Sequence, residues 1–146
     1  MQRRNFLQAC LGITCLLLLP LRALAAVWNR AAFESKTLDG ALQGLNVATL
    51  EPSSDIQITA PAYAENGAIV QVEITSRIAN TESIFILAEK NPTPLIAHFT
   101  FSNGAEPFVV TRIKMAETAD VVALVKAGDK YFRASRKVEV SENGCG

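Results

Sequence analysis

From Ile56 onward, apolar side chains recur at every second position with polar ones between them, a period that a half-buried strand requires and a helix cannot use. Ile56 and Ile58 alternate with Gln57 and Thr59; Ala68, Val70, Val72 and Ile74 alternate with Gln71, Glu73 and Thr75. Further runs at 83–89, 95–101, 108–114, 120–127 and 130–140 bring the expected count to about seven strands. The gaps hold turn chemistry: Glu65-Asn66-Gly67, Asn91-Pro92-Thr93-Pro94, Ser102-Asn103-Gly104 and Gly128-Asp129, the last sized for a two-residue hairpin. Short strands at regular spacing, with no helix between them to make a crossover, predict an all-β fold: an antiparallel sandwich of immunoglobulin type. The inter-sheet disulfide of antibody domains is absent.

Ahead of the strands the period changes. Ala31, Ala32, Leu38, Ala41, Leu42 and Leu45 recur at three- and four-residue steps, which predicts one or two short helices within 29–45. Earlier still, Arg3-Arg4, an apolar run from Leu11 to Leu21 and the triplet Ala23-Leu24-Ala25 have the layout of a signal peptide over 1–25. The stretch Gln2-Arg3-Arg4-Asn5-Phe6-Leu7-Gln8 resembles the twin-arginine export motif, which implies a periplasmic protein. Cys10 precedes the apolar run instead of closing it, against a lipoprotein signal, and the run is short of the ~20 residues that span a bilayer. The expected organisation is signal 1–25, sandwich 26–140 and a flexible tail 141–146.

Cleavage after Ala25 removes Arg3, Arg4 and Arg22 but no acid, leaving 11 bases against 14 acids. No block of like charge offers a footprint for nucleic acid or an anionic membrane. Cys10 and Cys15 leave with the signal, so Cys145 becomes the one cysteine of the mature chain. It is flanked by Gly144 and Gly146 and preceded by Asn143, on a tail with little steric restriction. In an oxidising compartment an unpaired thiol carries a covalent group, joins another chain through a disulfide, or is incidental.

Several chemistries are excluded. A mononuclear blue-copper site needs two imidazoles and a thiolate, and His98 is the only histidine. Zinc has no ligand cluster, haem attachment lacks Cys-x-x-Cys-His, and dithiol redox lacks Cys-x-x-Cys. A thiol on a mobile tail cannot be held against a general base by its own fold, so no catalytic residue, metal or resident cofactor is expected. His98 reads as a sheet-surface residue on the face opposite Leu95, Ala97, Phe99 and Phe101. Arg133, Arg136 and Lys137 read as solvated strand residues, or as cations that raise the potential around the thiol. Trp28 could pack on the sandwich or on a partner. What a mobile thiolate can do is attack oxidised sulfur, or be oxidised together with a sulfur anion to an S-thiosulfonate adduct.

The chain resembles the SoxY family, sulfur-carrying subunits of periplasmic thiosulfate oxidation. The resemblance covers nearly its whole length. It rests on the twin-arginine signal, the helical start, Ile78-Ala79-Asn80-Thr81-Glu82-Ser83-Ile84, Glu89-Lys90-Asn91-Pro92-Thr93-Pro94-Leu95, the stretch from Pro107 to Met115, and the closing Gly144-Cys145-Gly146. It implies a non-catalytic carrier in a heterodimer with a SoxZ-like sandwich subunit, bearing thiosulfate-derived sulfur on Cys145. A SoxAX-like haem enzyme would load the thiol, a SoxB-like hydrolase would release sulfate, and a sulfane dehydrogenase completes the oxidation in some systems. The rival reading is an immunoglobulin-like interaction subunit that uses Cys145 for an intermolecular disulfide only. The family's tail has two glycines on each side of the cysteine. Here Asn143 replaces one and Gly146 stands alone after Cys145, which brings the terminal carboxylate one residue closer and disfavours the thiolate.

Overall fold

Asn29 and Thr37 start two helices by the same device. The Asn29 side chain accepts from the Ala32 amide at 3.1 Å and opens α1 (Arg30–Phe33); the Thr37 hydroxyl accepts from the Gly40 amide at 3.1 Å and opens α2 (Leu38–Gly44). Asn29 also donates to the Gly44 carbonyl at 2.7 Å, tying the start of the first helix to the end of the second. At that crossing a Cβ on Gly44 would lie 2.6 Å from the Ala32 nitrogen, so only glycine permits the approach. The structure, a computed structural model, describes residues 29–142. The signal segment 1–25, Trp28 and the tail residues Asn143, Gly144, Cys145 and Gly146 lie outside the described residues.

Nine strands follow among the described residues: β1 (Leu50–Pro52), β2 (Ile56–Thr59), β3 (Tyr63–Asn66), β4 (Val70–Ser76), β5 (Ser83–Ala88), β6 (Leu95–Thr100), β7 (Phe108–Ile113), β8 (Ala119–Ala127) and β9 (Lys130–Glu142). The larger sheet has the order β1-β9-β8-β5-β6 with β3 also on β9, and the smaller has the order β2-β4-β7. Gly128 at φ 61° sits first in the two-residue β8–β9 loop, the φ sign a II′ hairpin requires. The all-β immunoglobulin-type sandwich stands as expected.

Three expectations are corrected in detail. β1 and β3 are new strands, three and four residues long, too short to show a period. Both pair parallel to β9, so the pairing is not wholly antiparallel; the crossover that parallel strands need is the body of the sandwich itself. In β6, a register shift opposite Ile86 and Leu87 puts two consecutive residues, Ile96 and Ala97, toward the inter-sheet core. Leu95 therefore turns to the same face as His98.

The larger sheet is buried on both faces. Toward the smaller sheet, Ile84, Ile86, Val121, Ala123 and Val125 pack against Val72, Ile74, Val109 and Ile113. On the opposite face, Phe85, Leu87, Val122, Leu124 and Tyr131 pack under Ala32, Ala41 and Leu45 of the helical segment. Hence β5 is buried at every position, and its sequence Ser-Ile-Phe-Ile-Leu-Ala lacks the polar alternation of its neighbours. Tyr131 locks the layers together by donating its hydroxyl to the Leu45 carbonyl at 3.1 Å.

Candidate functional site: the root of the C-terminal arm

The site is built on the far end of β9. Up to Val138 the strand is paired with β8, whose ladder ends at Ala119. Beyond it Thr118 takes over: its hydroxyl accepts from the Val140 amide at 2.8 Å and donates to the Val140 carbonyl at 3.4 Å. On the other edge Glu139 donates to the Ala62 carbonyl at 2.9 Å, and Ala64 and Asn66 stand opposite Val140 and Glu142. The strand therefore runs through Glu142, two residues past its expected end at 140; Ser141 and Glu142 carry no apolar period that would have marked them. Cys145 follows three positions after the last paired residue. Ile69, in the turn between β3 and β4, is 67% exposed.

The structure separates the other sequence-selected residues from this root. Arg133, Arg136 and Lys137 are exposed. The nearest of them, Lys137, is five positions before Glu142, about 17 Å at ~3.3 Å per strand residue. That exceeds the Debye length of about 8 Å at physiological ionic strength, so the solvated reading holds for these cations up to the arm's root. His98 lies on the opposite sheet edge, with its ring stacked on Phe85 at 4.2 Å and 12°. Its Nε2 is 3.1 Å from the Ser83 hydroxyl, and partial burial pushes the imidazole below its ordinary value. Ser83 is opposite Lys126, seven positions along β8 from Ala119, so His98 is also at the other end of the sheet. Histidine and arm root do not meet.

Sequence reasoning missed Thr118, Tyr131 and Asn91. Asn91 accepts from the Ala116 amide and donates to the Lys114 carbonyl, both at 2.8 Å, joining the β5–β6 turn to the segment after β7. Its Asn-Pro turn signal was visible; Thr118, in a segment without period, offered none. Among the described residues no group of three potential metal ligands occurs, and no buried side-chain nitrogen or oxygen lacks a partner. No helix is long and apolar enough to cross a membrane among them.

Fold and site together define an immunoglobulin-type sandwich, backed by two short helices, whose final described strand ends three positions before Cys145. A family model described as sulfur oxidation protein SoxY matches residues 43–145, through that cysteine. Among solved structures, the sulfur carrier protein SoxY from Chlorobium limicola f thiosulfatophilum is similar at 37% identity, with a TM-score of 0.66 over 75% of this chain and 96% of that one. No curated protein matches. The chain belongs to the SoxY family of sulfur carriers.

Proposed function

We propose that this protein carries thiosulfate-derived sulfur covalently on Cys145 in the periplasm, after twin-arginine export, and presents it to separate sulfur-oxidising enzymes. The observation that carries the reading is the family match running through residue 145, combined with a strand pinned up to Glu142 and a cysteine three positions on. At ~3.3–3.6 Å per extended residue, three residues can span up to about 10 Å. That is enough to enter a cleft in another protein while the body stays outside. Gly144 and Gly146 keep the arm narrow.

Loading joins the thiol to thiosulfate: R–SH + S2O3²⁻ gives R–S–S–SO3⁻ + H⁺ + 2 e⁻. The sulfur–sulfur bond forms as both sulfurs are oxidised, and the two electrons pass to a SoxAX-like haem enzyme. Water then cleaves the terminal group, R–S–S–SO3⁻ + H2O giving R–S–SH + HSO4⁻, the work of a SoxB-like hydrolase. In this reading the carrier supplies reach and a nucleophilic sulfur, a SoxZ-like subunit completes the complex, and no metal or cofactor of its own takes part.

Intact-mass measurement on the protein from its native periplasm tests the reading. Reductant-sensitive sulfur adducts that map to Cys145, distinct by mass from glutathione, are expected. Cys145→Ser abolishes thiosulfate-dependent turnover in a reconstituted system and leaves the fold and heterodimer unchanged. Only disulfide-linked chains, even with thiosulfate and the enzymes supplied, would refute it in favour of a purely structural cysteine.

A further inference from the structure

The open edge of the smaller sheet is chemically symmetric about its own centre. Among the described residues β7 is paired on one side only, with β4. Its odd positions serve the fold: Val109 and Ile113 are buried, Pro107 accepts from the Ser76 amide, and the following Met115 donates to Gly67. By the two-residue period of a strand, Phe108, Val110 and Arg112 turn their side chains out, and Val110, Arg112 and the Phe108 carbonyl face the open edge, the Phe108 amide donating to the Glu106 carbonyl at 2.8 Å. Phe108 and Val110 are 44% and 53% exposed. Edge strands are ordinarily blunted by charge, bulge or proline within the strand, and between Phe108 and Ile113 the only such device is Arg112.

We propose that β7 pairs with β7 of a second copy of this chain, antiparallel about a two-fold axis at Val110. A self-complementary interface must place each residue against its own counterpart or a suitable partner. Here Val110 meets Val110 of the second copy and exchanges both ladder bonds with it. Phe108 meets Arg112 of the second copy, a cation over an aromatic face, twice over. Beyond the strand, the antiparallel pairing brings the end of β7 that carries exposed Glu106 to the end that carries exposed Lys114 in the second copy, so the flanking charges are also complementary. Any register displaced by two residues loses both Phe108–Arg112 contacts. In the larger sheet β9 lies at the other side from β6, and the smaller sheet reaches it through β2, two strands from β7. The pairing thus lies on the far side of the smaller sheet from β9, and it does not rest on sulfur chemistry at Cys145.

Sedimentation velocity tests it on the mature chain carrying Cys145→Ser, which removes disulfide dimers. A reversible dimer is expected. Val110→Lys sets two like charges against each other on the axis and should raise the dissociation constant at least about tenfold. Glu106→Lys alone should weaken the dimer, and Glu106→Lys with Lys114→Glu should restore it, a rescue that misfolding cannot mimic. A monomer at all concentrations, a dimer indifferent to Val110→Lys, or an absence of charge-swap rescue would overturn the pairing. So would a monomeric chain in which Val110→Lys removes only binding of the second sandwich subunit, since the edge would then belong to that partner.

Discussion

The hydroxyl of Thr118 brackets Val140, accepting from its amide at 2.8 Å and donating to its carbonyl at 3.4 Å. One side chain thereby replaces a rung of ladder where β8 has ended and fixes how much of the C-terminal segment is strand. Thr118→Val should cost about 1 kcal/mol of local stability. Hydrogen exchange at the Val140 amide should accelerate while exchange in β8 stays slow; unchanged protection at Val140 would show that β3 alone holds the strand.

Tyr131 is the one described side chain whose hydroxyl ties the sheet to the helical segment through a buried bond, to the Leu45 carbonyl. In Tyr131→Phe the ring packing remains and the carbonyl loses its partner, a cost of about 1–3 kcal/mol. Urea unfolding should show a lower midpoint with an unchanged slope.

Gly44→Ala tests packing against propensity. Alanine is the better helix former by about 1 kcal/mol. Its Cβ would nonetheless lie 2.6 Å from the Ala32 nitrogen and 2.7 Å from its Cα, backbone atoms that cannot swing aside. Net destabilisation of about 1–3 kcal/mol is expected from overpacking, read as a lowered melting temperature. A raised one would mean that the two helices can separate at no cost.

Partial burial depresses the His98 imidazole below its ordinary value of 6.5. The unfolded chain then binds the proton more readily than the folded one, so stability is complete above the ordinary value and falls as pH drops through it toward the folded value. His98→Gln should flatten this slope in denaturation measured across that window; equal slopes in both proteins would remove His98 from the pH response.

Much of this architecture was legible from spacing. The alternation at Val70, Val72 and Ile74 and the Gly128-Asp129 turn placed strands and hairpin correctly. What escaped were features set by tertiary contact. β1 and β3 are strands because β9 offers them an edge, and three or four residues cannot declare a period. Leu95 faces the helices because a bulge inserts Ile96, and no residue in 95–101 announces it. The unbroken apolar run of β5 does record burial on both faces, but only the position of Ala32, Ala41 and Leu45 shows what covers the second. Cys145 could be singled out by elimination, whereas the grip that precedes it depends on Thr118, a neighbour only in three dimensions.

β9 leaves the ribosome after β1, β3 and β8, yet it is the strand against which all three pair. During synthesis those three remain without their common partner until Lys130–Glu142 has emerged, so the larger sheet cannot close early. A chain truncated before β9 would expose the flank of β8 and both short strands, a surface that proteases and chaperones recognise. Assembly order thus becomes a form of proofreading: a body folded well enough to persist is, by construction, one whose translation has already come within three residues of Cys145.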